Sequence, residues 1–297
     1  MKRRHFLWYS FFLTSSCTAI SSNSKDSSSY LDTESSSRKL RFTVTDLQDF
    51  EELQREYGKL RIVLEDVLEK EIEFVLFESY VAAAVALQSD RVDFVLTGPS
   101  EYVVMRARTN AIPIIGITRP DYHTVICVSA HSKIKSVAQL KGKTIAMWNV
   151  GSTSGHLGTA KLLIEAGLDP KSDLKILMLG NVGLSALQKG EVDAWGGSSA
   201  RYGQFLQEQD LPESNLPVIT KGLLLPNDVF VLSSRFTLRF AQEVRSRMIK
   251  NQDKLLQSLS SLEEGKYKDS KLILANDSDY QMIREAYKAV GQGSFLQ

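Results

Sequence analysis

The 297 residues carry 36 Lys and Arg against 35 Asp and Glu, a net charge of +1, and 43% of them are hydrophobic. That balance excludes a chain dominated by disorder or by membrane spans, and it leaves no global field to draw the protein to nucleic acid. One large or two medium α/β domains fit the length, and any preference for anions has to be local.

The chain opens with Lys2, Arg3 and Arg4, a short apolar run over residues 6–13, and no acidic residue before Asp26. This pattern reads as an export signal over residues 1–17. The apolar run is shorter than the roughly 20 residues that a spanning helix needs. Residues 3–7, Arg-Arg-His-Phe-Leu, fit a twin-arginine signal and equally the basic start of an ordinary secretory signal. Residues 13–17, Leu-Thr-Ser-Ser-Cys, resemble a lipobox with its aliphatic residue one place early. Cys17 is therefore expected either as the acylated first residue of the mature chain or beside an ordinary cleavage site. The Ser-rich stretch 18–37 behaves as a flexible tether under both readings.

Cys17 and Cys127 are the two cysteines. With Cys17 in the signal, neither a disulfide framework nor a cysteine metal site is available. Cys127 lies in the alternating run 124–128 and is expected as a buried structural residue.

After the tether, residues 40–45 read as a strand. Phe50, Leu53, Tyr57, Leu60, Leu64 and Val67 then recur at helical spacing before a strand at 72–77. A helix at 79–88, a strand at 92–97, a helix after Pro99 and a strand at 112–117 continue the alternation. The second half repeats it with a strand at 143–147, a helix at 154–166 stopped by Gly167, a strand at 175–179, a helix at 183–189 and a strand at 192–195. Ala86-Leu87-Gln88 with Val92-Asp93 recurs as Ala186-Leu187-Gln188 with Val192-Asp193. Each half is thus expected to form a mostly parallel sheet flanked by helices. Extended runs at 122–129 and 228–232 serve as two crossings. They give one lobe of residues 38–124 plus 229–297 and another of 125–228, with a ligand cleft between.

The segment Gly151-Ser152-Thr153-Ser154-Gly155 stands between a strand and a helix. Unpaired N–H groups at a helix start, joined by hydroxyl donors, suit a tetrahedral oxyanion without requiring Lys or Arg. The same residues also fit a plain helix N-cap with spare hydroxyls. No P-loop lysine follows, and Thr153 takes the centre of what would be Gly-x-Ser-x-Gly. His5, His123, His131 and His156 lack zinc-ligand spacing, and His156 is expected at the solvent surface. No nucleophile, base or metal cluster emerges, so neither catalysis nor a cofactor is expected. Trp148 and Trp195 end strands of the second half, where they serve as pocket walls or as core.

Together these segments resemble the phosphate/phosphite/phosphonate-binding proteins of ABC transporters across nearly the whole mature chain. The family's Ser-Thr-Ser-Gly motif stands at Ser152, Thr153, Ser154 and Gly155. Its strand ending in Gly-Pro-x-x-Tyr stands at residues 95–102, and its repeated Ala-Leu…Val-Asp elements at 86–93 and 186–193. The resemblance implies a two-lobed periplasmic-binding-protein fold, type II-like, with two hinge crossings. It implies a small phosphorus oxyanion as ligand (phosphonate, phosphite or phosphate), permease and ATPase subunits as partners, a monomer, and a periplasmic location with membrane contact only through a lipid on Cys17.

The ligand-facing residues it implies are Tyr80, Tyr122, Ser152, Thr153, Ser154, Asn181 and Asp228. Asn181 replaces the histidine of many members, and its amide can donate but cannot become cationic. The stretch 196–200, Gly-Gly-Ser-Ser-Ala, lacks the acidic residue that accompanies aminoalkyl phosphonates, which disfavours a ligand with an ammonium tail. Asp228 is expected to accept a hydrogen bond from a P–OH group and so to reject sulfate, which at neutral pH has no proton to offer. Alternatives on the same fold are a sulfonate or thiamine-precursor binder and a periplasmic anion sensor.

Overall fold

The structure, a computed structural model, describes residues 39–45, 47, 49–77, 82–260, 262 and 266–296. The export signal, Cys17, the tether and Tyr80 lie outside the described residues.

The first strand, β1 (Lys39–Val44), buries Leu40, Phe42 and Val44. Helix α1 (Phe50–Leu68) starts at Asp49, whose side chain accepts from Glu52 N at 2.8 Å, and turns Leu53, Tyr57, Leu60 and Leu64 inward. β2 (Glu71–Phe74), α2 (Ala82–Gln88), β3 (Phe94–Thr97), α3 (Pro99–Thr109) and β4 (Ile112–Ile117) follow in the expected alternation. The chain then crosses to a second body. There it forms β5 (His123–Val128), β6 (Thr144–Met147), a π-helical turn at Thr153–Gly158, α4 (Thr159–Glu165), β7 (Lys175–Met178), α5 (Gly183–Gln188), β8 (Ala194–Ser198), α6 (Ser199–Glu208) and β9 (Val218–Leu224). It returns through β10 (Asp228–Leu232) to α7 (Leu238–Lys250), α8 (Gln252–Leu259), β11 (Leu272–Leu274) and α9 (Gln281–Ala289).

Two sheets result, ordered β11-β4-β10-β3-β1-β2 and β7-β6-β8-β5-β9. In the first, β1 is parallel to β2 and β3, whereas β10 pairs antiparallel with β3 and β4. In the second, β6 is parallel to β7 and β8, and β5 pairs antiparallel with β8 and β9. The reversed strands have one cause. β5 and β10 each enter their sheet directly from a crossing, at the end where the parallel strands of that sheet finish, and so run against them. The carboxyl ends of the strands of both lobes therefore face one cleft, where open α/β sheets present ligand sites.

Phe42, Phe94 and Phe230 pack at the centre of the first sheet, with ring centroids 5.3 to 6.3 Å apart. The helices α1, α7 and α8 cover one face, and α2, α3 and α9 the other. The repeated Val-Asp element has a physical counterpart in each lobe. Asp93 N donates to Arg41 O at 2.9 Å while its Oδ2 accepts from Arg41 N at 2.9 Å. Asp193 does the same with Thr144, at 2.9 and 2.8 Å. Each aspartate pins the start of its strand to the neighbouring strand and lies away from the cleft.

Three local expectations change. The helix expected from residue 154 begins instead with the π-helical turn, and α6 and β9 are added to the second lobe. His156 is not at the surface; it is 8% exposed, and its Nδ1 accepts from Gly151 N at 3.1 Å. Cys127 is fully buried, and burial pushes its thiol up.

Candidate functional site

A cavity of about 70 Å³ opens between the lobes where the strand ends converge. The second lobe contributes Trp148 after β6, Ser152, Thr153 and Ser154 on the π-helical turn, Ser198 at the end of β8, and Arg201 in the first turn of α6. From the first lobe and the crossings come Gly98 and Glu101 at the start of α3, Arg119 and Tyr122 between β4 and β5, Asp228 at the start of β10, and Lys266.

Close backbone packing explains the shape of the hydroxyl segment. Gly151 has φ +93°, a left-handed conformation that glycine adopts without strain. A Cβ on Gly155 would stand 2.3 Å from Trp148 Cβ, so only glycine lets the turn press against this tryptophan. Ser152 caps the turn by accepting from Gly155 N at 3.3 Å. Ser154 anchors through its carbonyl, which accepts from Thr124 Oγ1 at 3.3 Å and Thr159 Oγ1 at 3.0 Å, while its side chain lines the cavity.

Thr153 reaches across the cleft. Its Oγ1 accepts from Ser100 N at 3.1 Å and lies 2.8 Å from Ser100 Oγ, which donates to Glu101 Oε2 at 2.7 Å. With Glu101 ionised, Ser100 commits its one hydroxyl proton to the carboxylate, and Thr153 is then the donor to Ser100. This chain of hydroxyls ties the two lobes together in a closed arrangement.

Asp228 lines the cavity but is not the unpaired acceptor expected for it. It is 1% exposed, with Lys266 Nζ at 2.8 Å, Arg119 Nη1 at 3.4 Å and a hydrogen bond from Tyr267 OH at 2.8 Å. Burial opposes its ionisation, but Lys266, Arg119 and the hydrogen bonds more than offset it and hold the carboxyl below its ordinary range. Tyr122 also lines the cavity, and its ring lies 3.5 Å from the Arg119 guanidinium.

Asn181 stands outside this cavity, in the neighbouring pocket walled by Trp195 and Phe205. Its Oδ1 accepts from Arg201 Nη1 at 3.2 Å, and Arg201 in turn stacks on Trp148 at 3.7 Å. Asn181 thus orients a cation through its carbonyl oxygen. Trp148 is a cavity wall, whereas Trp195 is 1% exposed within the core of the second lobe.

Sequence reasoning expected hydroxyls and backbone without cations; Arg119, Lys266 and Arg201 correct that expectation, and Glu101 adds an acid. Burial pushes the Glu101 carboxyl up to about 7, against the hydrogen bond from Ser100. Two of these residues carried a local signal, since Arg119 precedes Tyr122 within the crossing and Arg201 opens the helix after Ser198. Lys266 carried none. Among the described residues no group of three or more His, Cys, Asp or Glu is placed to hold a metal ion, and no helix is long and apolar enough to cross a membrane.

Residues 42–280 match the family model described as ABC transporter, phosphonate, periplasmic substrate-binding protein. The chain belongs to this family. It is accordingly the periplasmic solute-binding component of a phosphonate-type ABC transporter, and the two-lobed fold expected from the resemblance is the fold observed. Solved structures share the architecture. A Prochlorococcus marinus protein in complex with methylphosphonate superposes with a TM-score of 0.69 at 20% identity, covering 86% of this chain and 99% of its own. A binding component of an ABC phosphonate transporter from Pseudomonas aeruginosa gives 0.67 at 19%, covering 84% and 85%. The aliphatic sulphonate-binding protein of Escherichia coli gives 0.60 at 20%, covering 85% and 86%.

Proposed function

We propose that this family member captures a compact phosphorus oxyanion (phosphonate, phosphite or phosphate) by closing its two lobes, and hands it to permease and ATPase subunits. The observation that carries this reading is the size and charge of the cavity. Its about 70 Å³ corresponds to only two or so water volumes, room for a tetrahedral centre bearing a hydrogen, hydroxyl or methyl. Arg119, Lys266 and Arg201 outnumber the Asp228 and Glu101 carboxyls there, and the hydroxyls of Ser152, Ser154 and Ser198 supply directional donors.

An ammonium tail finds little room, and of the two acids lining the cavity Asp228 already faces Arg119 and Lys266 while Glu101 is engaged by Ser100. Capture and release, not chemistry, is the activity assigned. The protein works as a monomer, Tyr80 is assigned as a further ligand-facing residue on the family resemblance, and an acyl group on Cys17 is assigned as the anchor of the tether. Mass spectrometry of the mature N-terminus decides the anchor, an unacylated terminus removing it.

Calorimetric titration against phosphate, phosphite, methylphosphonate, 2-aminoethylphosphonate, sulfate and a short alkanesulfonate tests the ligand. One of the first three is expected to bind tightest, with 2-aminoethylphosphonate weaker by at least about tenfold. Tighter binding of the sulfonate, or no binding of the three small phosphorus oxyanions, overturns the reading.

A further inference from the structure

The hydroxyl chain that joins the lobes ends on a carboxyl group, and its polarity depends on the charge of that group. With Glu101 ionised, Ser100 donates to Glu101 and Thr153 donates to Ser100, so the Thr153 proton points away from the cavity that Thr153 lines. With Glu101 protonated, its O–H donates to Ser100 Oγ and Ser100 O–H donates to Thr153 Oγ1. That oxygen can accept this bond together with the one from Ser100 N, and its own O–H turns into the cavity.

We propose that Ser100 and Glu101 act as a proton relay that sets affinity and specificity, so that capture of a phosphorus oxyanion takes up a proton at Glu101 and turns Thr153 into a donor to the ligand. The proposal rests on the ligand class assigned above. In the step itself one solvent proton moves to a Glu101 carboxylate oxygen, two hydrogen bonds reverse, the Thr153 hydroxyl gains one to the ligand, and no covalent bond between heavy atoms changes.

The surroundings of Glu101 favour such uptake. Facing the same cavity are Asp228, whose negative charge raises the Glu101 carboxyl, and Lys266, which lowers it; Arg119, Arg201 and Tyr122 complete its titratable and charged lining. On the opposite side, Glu101 shares a pocket with Arg108 of its own helix and with Tyr287 of α9, whose OH donates to Ser100 O at 3.4 Å. Burial places the carboxyl near neutrality before any ligand arrives, and a dianion in the cavity moves it further the same way.

The test measures protons with methylphosphonate as the probe. Calorimetry at pH 8 in two buffers of different ionisation enthalpy gives the proton uptake of the wild type and of Glu101→Gln, whose amide donates to Ser100 at every pH. Titration of the ligand itself is common to both proteins and cancels in the difference. Wild type is expected to take up about half to one proton more, and its Kd to rise by up to about tenfold more per pH unit between pH 7 and 8.5. Ser100→Ala interrupts the chain while leaving the Glu101 carboxyl in place, short of its one hydrogen bond from Ser100, and is expected to bring that slope down toward the Glu101→Gln value. Equal uptake by wild type and Glu101→Gln overturns the relay, as does a Ser100→Ala slope as steep as wild type. Absence of methylphosphonate, phosphite and phosphate binding to the wild type overturns instead the ligand class on which it rests.

Discussion

Replacing Asp228 by Asn removes the negative centre of a buried cluster and leaves its two cations facing each other. Lys266 Nζ is 2.8 Å and Arg119 Nη1 3.4 Å from the carboxylate. At an effective dielectric of about 20, unit charges at such separations attract by about 5 to 6 kcal/mol per pair. Desolvation of a carboxylate that is 1% exposed offsets much of this. The net loss expected is the about 3 to 5 kcal/mol typical of removing one partner from a buried pair. For a domain of this size that lowers the midpoint of thermal unfolding by about 6 to 20 °C.

A second consequence separates this account from simple damage. A phosphorus oxyanion brings negative charge back to Arg119 and Lys266, so saturating methylphosphonate should narrow the gap in midpoint between wild type and Asp228→Asn. Scanning calorimetry with and without ligand reads both effects. A ligand-free variant that unfolds within about 1 °C of wild type, or a gap that widens on adding ligand, refutes the reasoning.

Two further perturbations address the turn that carries the hydroxyls. Gly155→Ala places a Cβ where Trp148 Cβ stands, at 2.3 Å, and should shift the tryptophan into the cavity and weaken oxyanion binding by at least about tenfold while leaving a folded protein; unchanged affinity by calorimetry would exclude this packing role. His156 holds the Gly151 N–H on its neutral ring, and burial keeps its pKa below the ordinary value, so the unfolded chain binds the extra proton. Stability then falls as pH drops below about 6.5, by up to about 1.4 kcal/mol per pH unit, and His156→Gln should remove that contribution. Because the raised carboxyl of Glu101 contributes with the opposite sign in the same window, the readout is the difference between wild type and variant in urea midpoints at pH 7.5 and 5.5. Identical pH dependence in the two proteins rules the coupling out.

What could be read from the residues was what local periodicity encodes. The face Leu53, Tyr57, Leu60 and Leu64 announces α1 because a helix must repeat its buried side. The paired Val-Asp elements announce a repeated strand start because each aspartate bonds a neighbouring strand in the same way. β9 escaped because its residues are only partly buried and show no alternation. The π-helical turn escaped because its cause is tertiary, the pressing of Gly155 on Trp148 and of Gly158 on Thr124. His156 looks like any polar residue of a first helical turn until α9 and the end of β6 are brought around it. The cations form the largest gap. Arg119, Arg201 and Lys266 stand far apart in sequence and meet only because both crossings return the chain to one cleft.

That distribution of charge bears on how the protein closes. Asp228, Arg119 and Lys266 belong to the first lobe and its crossings, whereas Arg201 is carried by the second, yet all line one cavity. Within the first group Asp228 is shared between Arg119 and Lys266, so closing brings the cations of the two lobes toward one another. Like charges about 8 Å apart repel by about 2 kcal/mol at an effective dielectric of about 20. Closure without an anion therefore works against this repulsion, aided by the Thr153–Ser100 contact. An oxyanion seated between the lobes reverses the sign, because it attracts the cations of both at once. The hydroxyls of Ser152, Ser154 and Ser198 lie on the same lobe as Arg201, so they orient an anion without deciding whether the lobes meet. Affinity and closure thus draw on different residues, with the charge of the ligand linking them. A neutral ester of the same shape would fill the cavity and find its donors, yet it would leave the repulsion between lobes in place.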